Sequence, residues 1–171
     1  MQILIPTAIN QTVPARVLAG IDAQTEPCTV TVIATPGVID SQRNQSLQRL
    51  RGEARSRNTC SMYAEALDND DYVCTMDRDI VLPPSAIADM RAELDADPKL
   101  GAVSIRVENG PGHDHVTIQC TVWLWRALII VRWIDQPIGC HCLHATAELQ
   151  KLGYDHRYST TQPAMEVIDG E

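Results

Sequence analysis

Tyr72-Val73-Cys74-Thr75-Met76-Asp77-Arg78-Asp79-Ile80-Val81-Leu82-Pro83-Pro84 joins a strand-like run to a pair of carboxylates and then to the proline-led start of a helix. Tyr72–Met76 is short, apolar and rich in strand-forming residues, which predicts a buried strand. Carboxylates at i and i+2 on an extended chain end lie on the same side, so Asp77 and Asp79 can lean toward one point. A hard divalent cation takes oxygen ligands and keeps open positions for phosphate oxygens. A lone Asp-x-Asp is more often a polar turn, so the surrounding chain decides the reading.

Upstream, Gln2–Ile5 reads as a strand ended by Pro6-Thr7. Val13, Val17, Leu18 and Ile21 recur at helical spacing, with Thr12 as the expected N-cap and Pro14 in the first turn. Cys28–Ala34 alternates as a second strand and stops at Thr35-Pro36-Gly37. Ser56–Leu67 has a helical stripe. Downstream, Pro83-Pro84-Ser85 opens a helix over Ala86–Ala96, with Ile87, Met90 and Leu94 inward. Ala102–Val107 and Val116–Trp125 read as strands, and Thr146–Lys151 as a helix capped by Gly153. The tail from Ser159 has weak periodicity and is expected to be mobile. This alternation predicts a single α/β domain over 1–171 with a mainly parallel sheet. In such sheets ligands bind beyond the carboxyl ends of the strands. Pro6-Thr7, Thr35-Pro36 and Asp77–Asp79 all fall there.

The chain has 171 residues, 44% of them apolar, a net charge of -8 and no Phe. Trp, Leu, Ile and Val must therefore fill the core. The acidic balance argues against a general nucleic-acid binder, although Arg43, Arg49, Arg51, Arg55 and Arg57 cluster in sequence. The apolar run near Trp123–Ile134 is broken by Arg126 and Arg132 and is too short for a transmembrane segment. No signal peptide is recognisable. The six cysteines sit mostly in apolar segments and read as reduced, buried thiols of a cytoplasmic protein.

The order of these pieces resembles family 2 glycosyltransferases of the GT-A fold. Gly52-Glu53-Ala54-Arg55-Ser56-Arg57-Asn58 opens a helix, a strand leads to Asp77-Arg78-Asp79, and a proline-led helix leads to Asp97-Pro98-Lys99-Leu100-Gly101-Ala102-Val103. Ile3–Thr7 is similar to the family's first strand, and Ile21-Asp22-Ala23-Gln24-Thr25 to its helix end with Gln. Gly139–Cys142 through Leu149–Asp155 resembles the segment before the acceptor site. The likeness covers roughly residues 1–169. It implies a Rossmann-like three-layer α/β/α sandwich. It also implies a metal-dependent, inverting transfer of a sugar from a UDP- or GDP-sugar to an acceptor hydroxyl.

In that reading Mn²⁺ or Mg²⁺ is held by Asp79, with Asp77 sharing the ion or facing the ribose. Pro6, Thr7 and Thr35 border the nucleotide, and Arg57 meets a phosphate or pairs with Asp77. The acceptor can be a glycan, a lipid-linked sugar, a protein or a modified nucleic acid; neither it nor the oligomeric state is specified. Two departures stand out. Ile33-Ala34-Thr35-Pro36-Gly37 lacks the family's acidic pair, the next acid being Asp40. In Met165-Glu166-Val167-Ile168-Asp169, Val167 most simply takes the place of the catalytic Asp, leaving Glu166 as first and Asp169 as second candidate base.

Other residues weigh less. Cys140-His141-Cys142-Leu143-His144 has soft-metal residue types without zinc-site spacing; His141 or His144 could instead approach the diphosphate metal or the acceptor. His113-Asp114-His115 reads as an exposed turn. Trp123, Trp125 and Trp133 read as core, or as a wall of an acceptor groove. A nucleotidyltransferase would want a Gly-rich phosphate loop, which Pro6–Ala15 lacks. A catalytically degenerate GT-A-like module that binds nucleotide sugars or glycans is the remaining alternative.

Overall fold

The structure is a computed structural model, and it describes residues 1–7, 12–34, 71–108, 122–132, 149–159 and 164–166. These form β1 (Gln2–Thr7), α1 (Ala15–Asp22), β2 (Thr29–Ala34), β3 (Tyr72–Met76), β4 (Ile80–Val81), α2 (Ala86–Ala96), β5 (Leu100–Ser104), β6 (Val107–Glu108), β7 (Val122–Arg126), α3 (Ala127–Arg132), β8 (Asp155–Tyr158) and β9 (Ala164–Glu166). The helix expected over Ser56–Leu67 lies outside the described residues.

Six strands form the main sheet in the order β2-β1-β3-β7-β5-β8. Pairings β1–β2, β1–β3 and β5–β8 are parallel, whereas β7 is antiparallel to both its neighbours. Five strands thus run one way and β7 runs back between them. A three-stranded sheet, β4-β9-β6, stands beside it. Its β4, β6 and β9 follow β3, β5 and β8 in the chain, so each leaves the main sheet at the same carboxyl edge.

Strand alternation sorts the core into two faces. Ile3, Ile5, Cys74, Met76, Leu124 and Val103 cluster with Val17 and Ile21 of α1 and with Ile87, Met90 and Leu94 of α2. The opposite face carries Leu4, Val73 and Ala102 together with buried Gln2, Thr31, Thr75 and Ser104. Its polar groups are paired, as burial requires. Gln2 Nε2 donates to Thr31 Oγ1 at 3.2 Å, and Trp125 Nε1 donates to Thr75 Oγ1 at 2.8 Å. Trp123 and Trp125 stack with ring centroids 4.7 Å apart and are 4% exposed, so both are core. Trp133 lies outside the described residues.

The helix ends show how local chemistry was met. α1 starts from Pro14, whose carbonyl accepts from the Val17 and Leu18 N–H groups. The expected Thr12 cap is thus replaced two residues later, because proline has no N–H to satisfy and a φ suited to a helix start. α2 ends without glycine or a basic residue of its own. Arg126 of β7 supplies the missing donors, reaching the Leu94 carbonyl at 2.6 Å and the Asp97 carbonyl at 3.3 Å. Gly153 ends the helical turn before it at φ 81, with Tyr154 N–H donating to Leu149 O and Gly153 N–H to Gln150 O. This is a Schellman ending, which needs the left-handed conformation glycine adopts freely.

Among the described residues Cys28 and Cys74 are free thiols, and burial pushes the Cys74 thiol pKa well up. No helix among them is long and apolar enough to cross a membrane.

Candidate functional site at the carboxyl edge of the sheet

β3 is a central strand, and its last residue Met76 is fully buried opposite Val122. The chain then turns through Asp77-Arg78-Asp79 and re-enters the core at Ile80 and Leu82, 1% and 2% exposed. Two buried anchors therefore hold a short polar turn, with Asp77 exposed and Asp79 half-buried. β1 runs beside β3 with Leu4 opposite Thr75, and continues past it to Pro6 and Thr7. This brings the backbone of Pro6-Thr7 to the edge from which the acid turn departs.

The small sheet adds a partner from the far end of the chain. In the antiparallel β4–β9 ladder, Ile80 is opposite Glu166. Directly opposed residues in such a ladder have Cα atoms about 5 Å apart. The backbone of Glu166 is therefore adjacent to the residue that follows Asp79. Beyond Ser159, Ala164–Glu166 is the middle strand of the small sheet, and Ala164 is 0% exposed. Thr35, Arg57 and Asp169 lie outside the described residues, as do His113, Asp114, His115, His141 and His144.

Among the described residues no cluster of three or more His, Cys, Asp or Glu side chains could hold a metal by itself. Among the described residues the turn offers the carboxylates of Asp77 and Asp79, two residues apart in sequence. That set suits Mg²⁺ or Mn²⁺, which bind through one or two carboxylates and complete their shell with water and substrate phosphate. It does not suit a closed structural zinc site.

Two further features carry side-chain contacts of note, one in the acid turn and one on β8, the lateral edge strand of the main sheet. Arg78 Nη1 donates to the Thr12 carbonyl at 3.3 Å, so the middle residue of the acid turn grips the chain just before α1. On β8, His156 lies 2.7 Å from Ser104 Oγ and packs on Trp123, and burial holds its imidazole pKa below the usual range. Exposed Tyr158 meets His156 edge-on. The only sequence signal for His156 and Tyr158 was Asp155-His156-Arg157-Tyr158, whose alternation is too polar to stand out.

No protein-family profile matches the sequence, and no curated protein matches it. Solved structures do match. Mannosyltransferase PcManGT from Pyrobaculum calidifontis, in complex with GDP-Man and Mn²⁺, superposes with a TM-score of 0.68 at 17% identity, covering 99% of this chain and 57% of that one. S. aureus TarS 1–349 in complex with UDP-GlcNAc gives 0.68 at 15% identity, covering 99% and 59%. The CMP:2-keto-3-deoxy-manno-octonic acid synthetase complexed with CTP gives 0.58 at 12% identity, covering 98% and 92%. The chain thus spans less than two thirds of the first two proteins. The parallel sheet broken by one antiparallel strand, with a small sheet at its carboxyl edge, is the GT-A fold of glycosyltransferases.

Proposed function

We propose that this chain is the donor-binding, catalytic part of a metal-dependent glycosyltransferase that moves a sugar from a UDP- or GDP-sugar to an acceptor hydroxyl with inversion. The observation that carries this reading is the Ile80–Glu166 register, which joins the Asp77-x-Asp79 turn to the late acidic segment at the carboxyl edge. PcManGT, which shares the fold, is in complex with GDP-Man and Mn²⁺. The likeness to the synthetase, like that to PcManGT and TarS, is to the fold alone; what separates the readings is that the chain lacks a Gly-rich loop after β1.

In this reading Asp79 holds the cation and Asp77 shares it or meets the ribose. A bound Mn²⁺ or Mg²⁺ neutralises charge developing on the diphosphate as the glycosidic bond breaks. Pro6, Thr7 and Thr35 border the nucleotide, and Arg57 contributes a charge-assisted contact to a phosphate. Glu166 accepts the proton of the attacking hydroxyl, with Asp169 as the second candidate. The acceptor is a glycan, a lipid-linked sugar, a protein or a modified nucleic acid.

The test is calorimetry with UDP, GDP and their sugars, with Mn²⁺ or with EDTA, alongside detection of released nucleoside diphosphate. Metal-dependent binding with turnover supports the transferase. Metal-dependent binding without turnover across acceptors supports the degenerate binding module. Equal affinity in EDTA overturns the metal assignment.

A further inference from the structure

Metal binding does not explain Arg78, the residue between the two carboxylates. Its guanidinium donates to the carbonyl of Thr12, two residues before the Pro14 start of α1. The same helix is tied to the chain beyond the acid turn at two further places. At Gly20 a Cβ would stand 3.2 Å from Val81 Cγ1 and 3.3 Å from the Leu82 carbonyl oxygen, so glycine permits this close approach. Past the helix end, Gln24 Nε2 donates to Pro83 O at 2.8 Å, and Gln24 Oε1 accepts from Ile87 N–H at 3.1 Å. Thr25 N–H donates to Pro84 O at 2.9 Å.

The segment from Arg78 to Ile87 therefore follows α1 from before its first turn to beyond its last. Backbone groups and a half-buried glutamine secure the rear of this contact; the side chain of Arg78 secures the front. The front is also where the β1–α1 connection and the acid turn leave adjacent parallel strands.

We infer that Arg78 is a positioning residue, which locks the Asp77–Asp79 turn to the Thr12–Pro14 entry of α1 so that cation and nucleotide meet a turn held in one place. The inference rests on the donor-binding reading above. Removal of Arg78 lets the turn and the entry of α1 move separately, so each ligand prepares the site less well for the other.

The experiment measures Mn²⁺ and GDP or UDP binding to the full chain, each alone and in the presence of the other. The ratio of affinities is the enhancement factor, and it is the same from either direction. Arg78→Ala is expected to lower that factor about fivefold, the low end for coupled sites because the bond faces solvent. Its melting temperature should match that of Arg91→Ala, which removes an equal charge from the Arg91–Glu26 ion pair. Arg78→Lys keeps a donor for the Thr12 carbonyl and should restore most of the factor. Should Arg78→Ala fail to fold, Arg78→Gln carries the same comparison. An undiminished factor, or an equal loss in Arg91→Ala, overturns the inference and leaves the donor reading standing. A wild-type chain that binds neither Mn²⁺ nor nucleotide overturns both.

Discussion

Gly101 sits where β5 slips against β8, between the Leu100–Asp155 and Ala102–His156 pairs. A Cβ at this buried residue would lie 2.5 Å from Ile129 Cδ1, 2.7 Å from Leu149 Cδ2 and 2.7 Å from Tyr154 Cβ. The first two are the ends of side chains and can move. The third cannot easily retreat, because Tyr154 N–H is bonded to Leu149 O and Asp155 N–H to Lys99 O. Overpacking of this kind costs about 1–3 kcal/mol. Alanine recovers about 0.4–1 kcal/mol by restricting the unfolded chain. From the middle of these two ranges, Gly101→Ala is expected to lose about 1.3 kcal/mol, or roughly 3–5 °C in Tm for a chain of this length. Ile129→Val removes the methyl that clashes most; alone it costs about 0.5–1.5 kcal/mol. In the double variant it should cost about 0.5–1 kcal/mol less than that, which a double-mutant cycle resolves. Equilibrium denaturant melts followed by the fluorescence of buried Trp123 and Trp125 give both numbers. A Gly101→Ala protein as stable as wild type would refute the close packing of α3 and Tyr154 on β5.

Asp79→Asn should keep the fold, since the residue lies on a turn between buried anchors, and should abolish metal-dependent nucleotide binding by calorimetry. Glu166→Gln should bind donor normally yet lose about 10²–10⁴-fold in transfer, the usual contribution of a general base; if Asp169→Asn shows that loss instead, the base is Asp169. Burial depresses the His156 pKa in the fold, so the unfolded chain takes up a proton first as pH falls. His156 stabilises fully above the unfolded imidazole range near about 6.5 and loses that contribution as pH drops toward its folded value. Denaturant melts at pH 7.5 and 5.5 should show less of this loss in His156→Gln than in wild type.

The long buried elements were legible because periodicity survives wherever a whole segment packs. β3 and α2 match their predicted spans residue for residue, and β2 starts one residue late. β8 escaped because it is an edge strand with exposed Asp155, Arg157 and Tyr158, so only His156 reports any burial. β4 and β6 have two residues each and β9 three, too few for any period to show. The carboxylate pair was readable because its geometry is local to one strand end. The proximity of Glu166 to it was not, since it arises from a register between strands remote in sequence. The task of Arg78 is not legible in the sequence, because the Thr12 carbonyl it reaches is a backbone group, which leaves no trace there.

The small sheet carries a consequence for the order of assembly. Its strands come from three separate parts of the chain, and Glu166 meets Ile80 only after the intervening chain has been brought back. Contacts of such long sequence separation are favoured late in folding, after shorter loops have closed. The main sheet gives β1 and β2 their pairing much earlier. A nascent or partly opened chain would therefore present its acid turn without the opposing late segment. Any ligand that needs both sides would bind the completed fold alone, and its binding would slow the loss of β9. Protection of the Ala164–Glu166 amides from hydrogen exchange should then rise on ligand addition more than protection of the β1 amides.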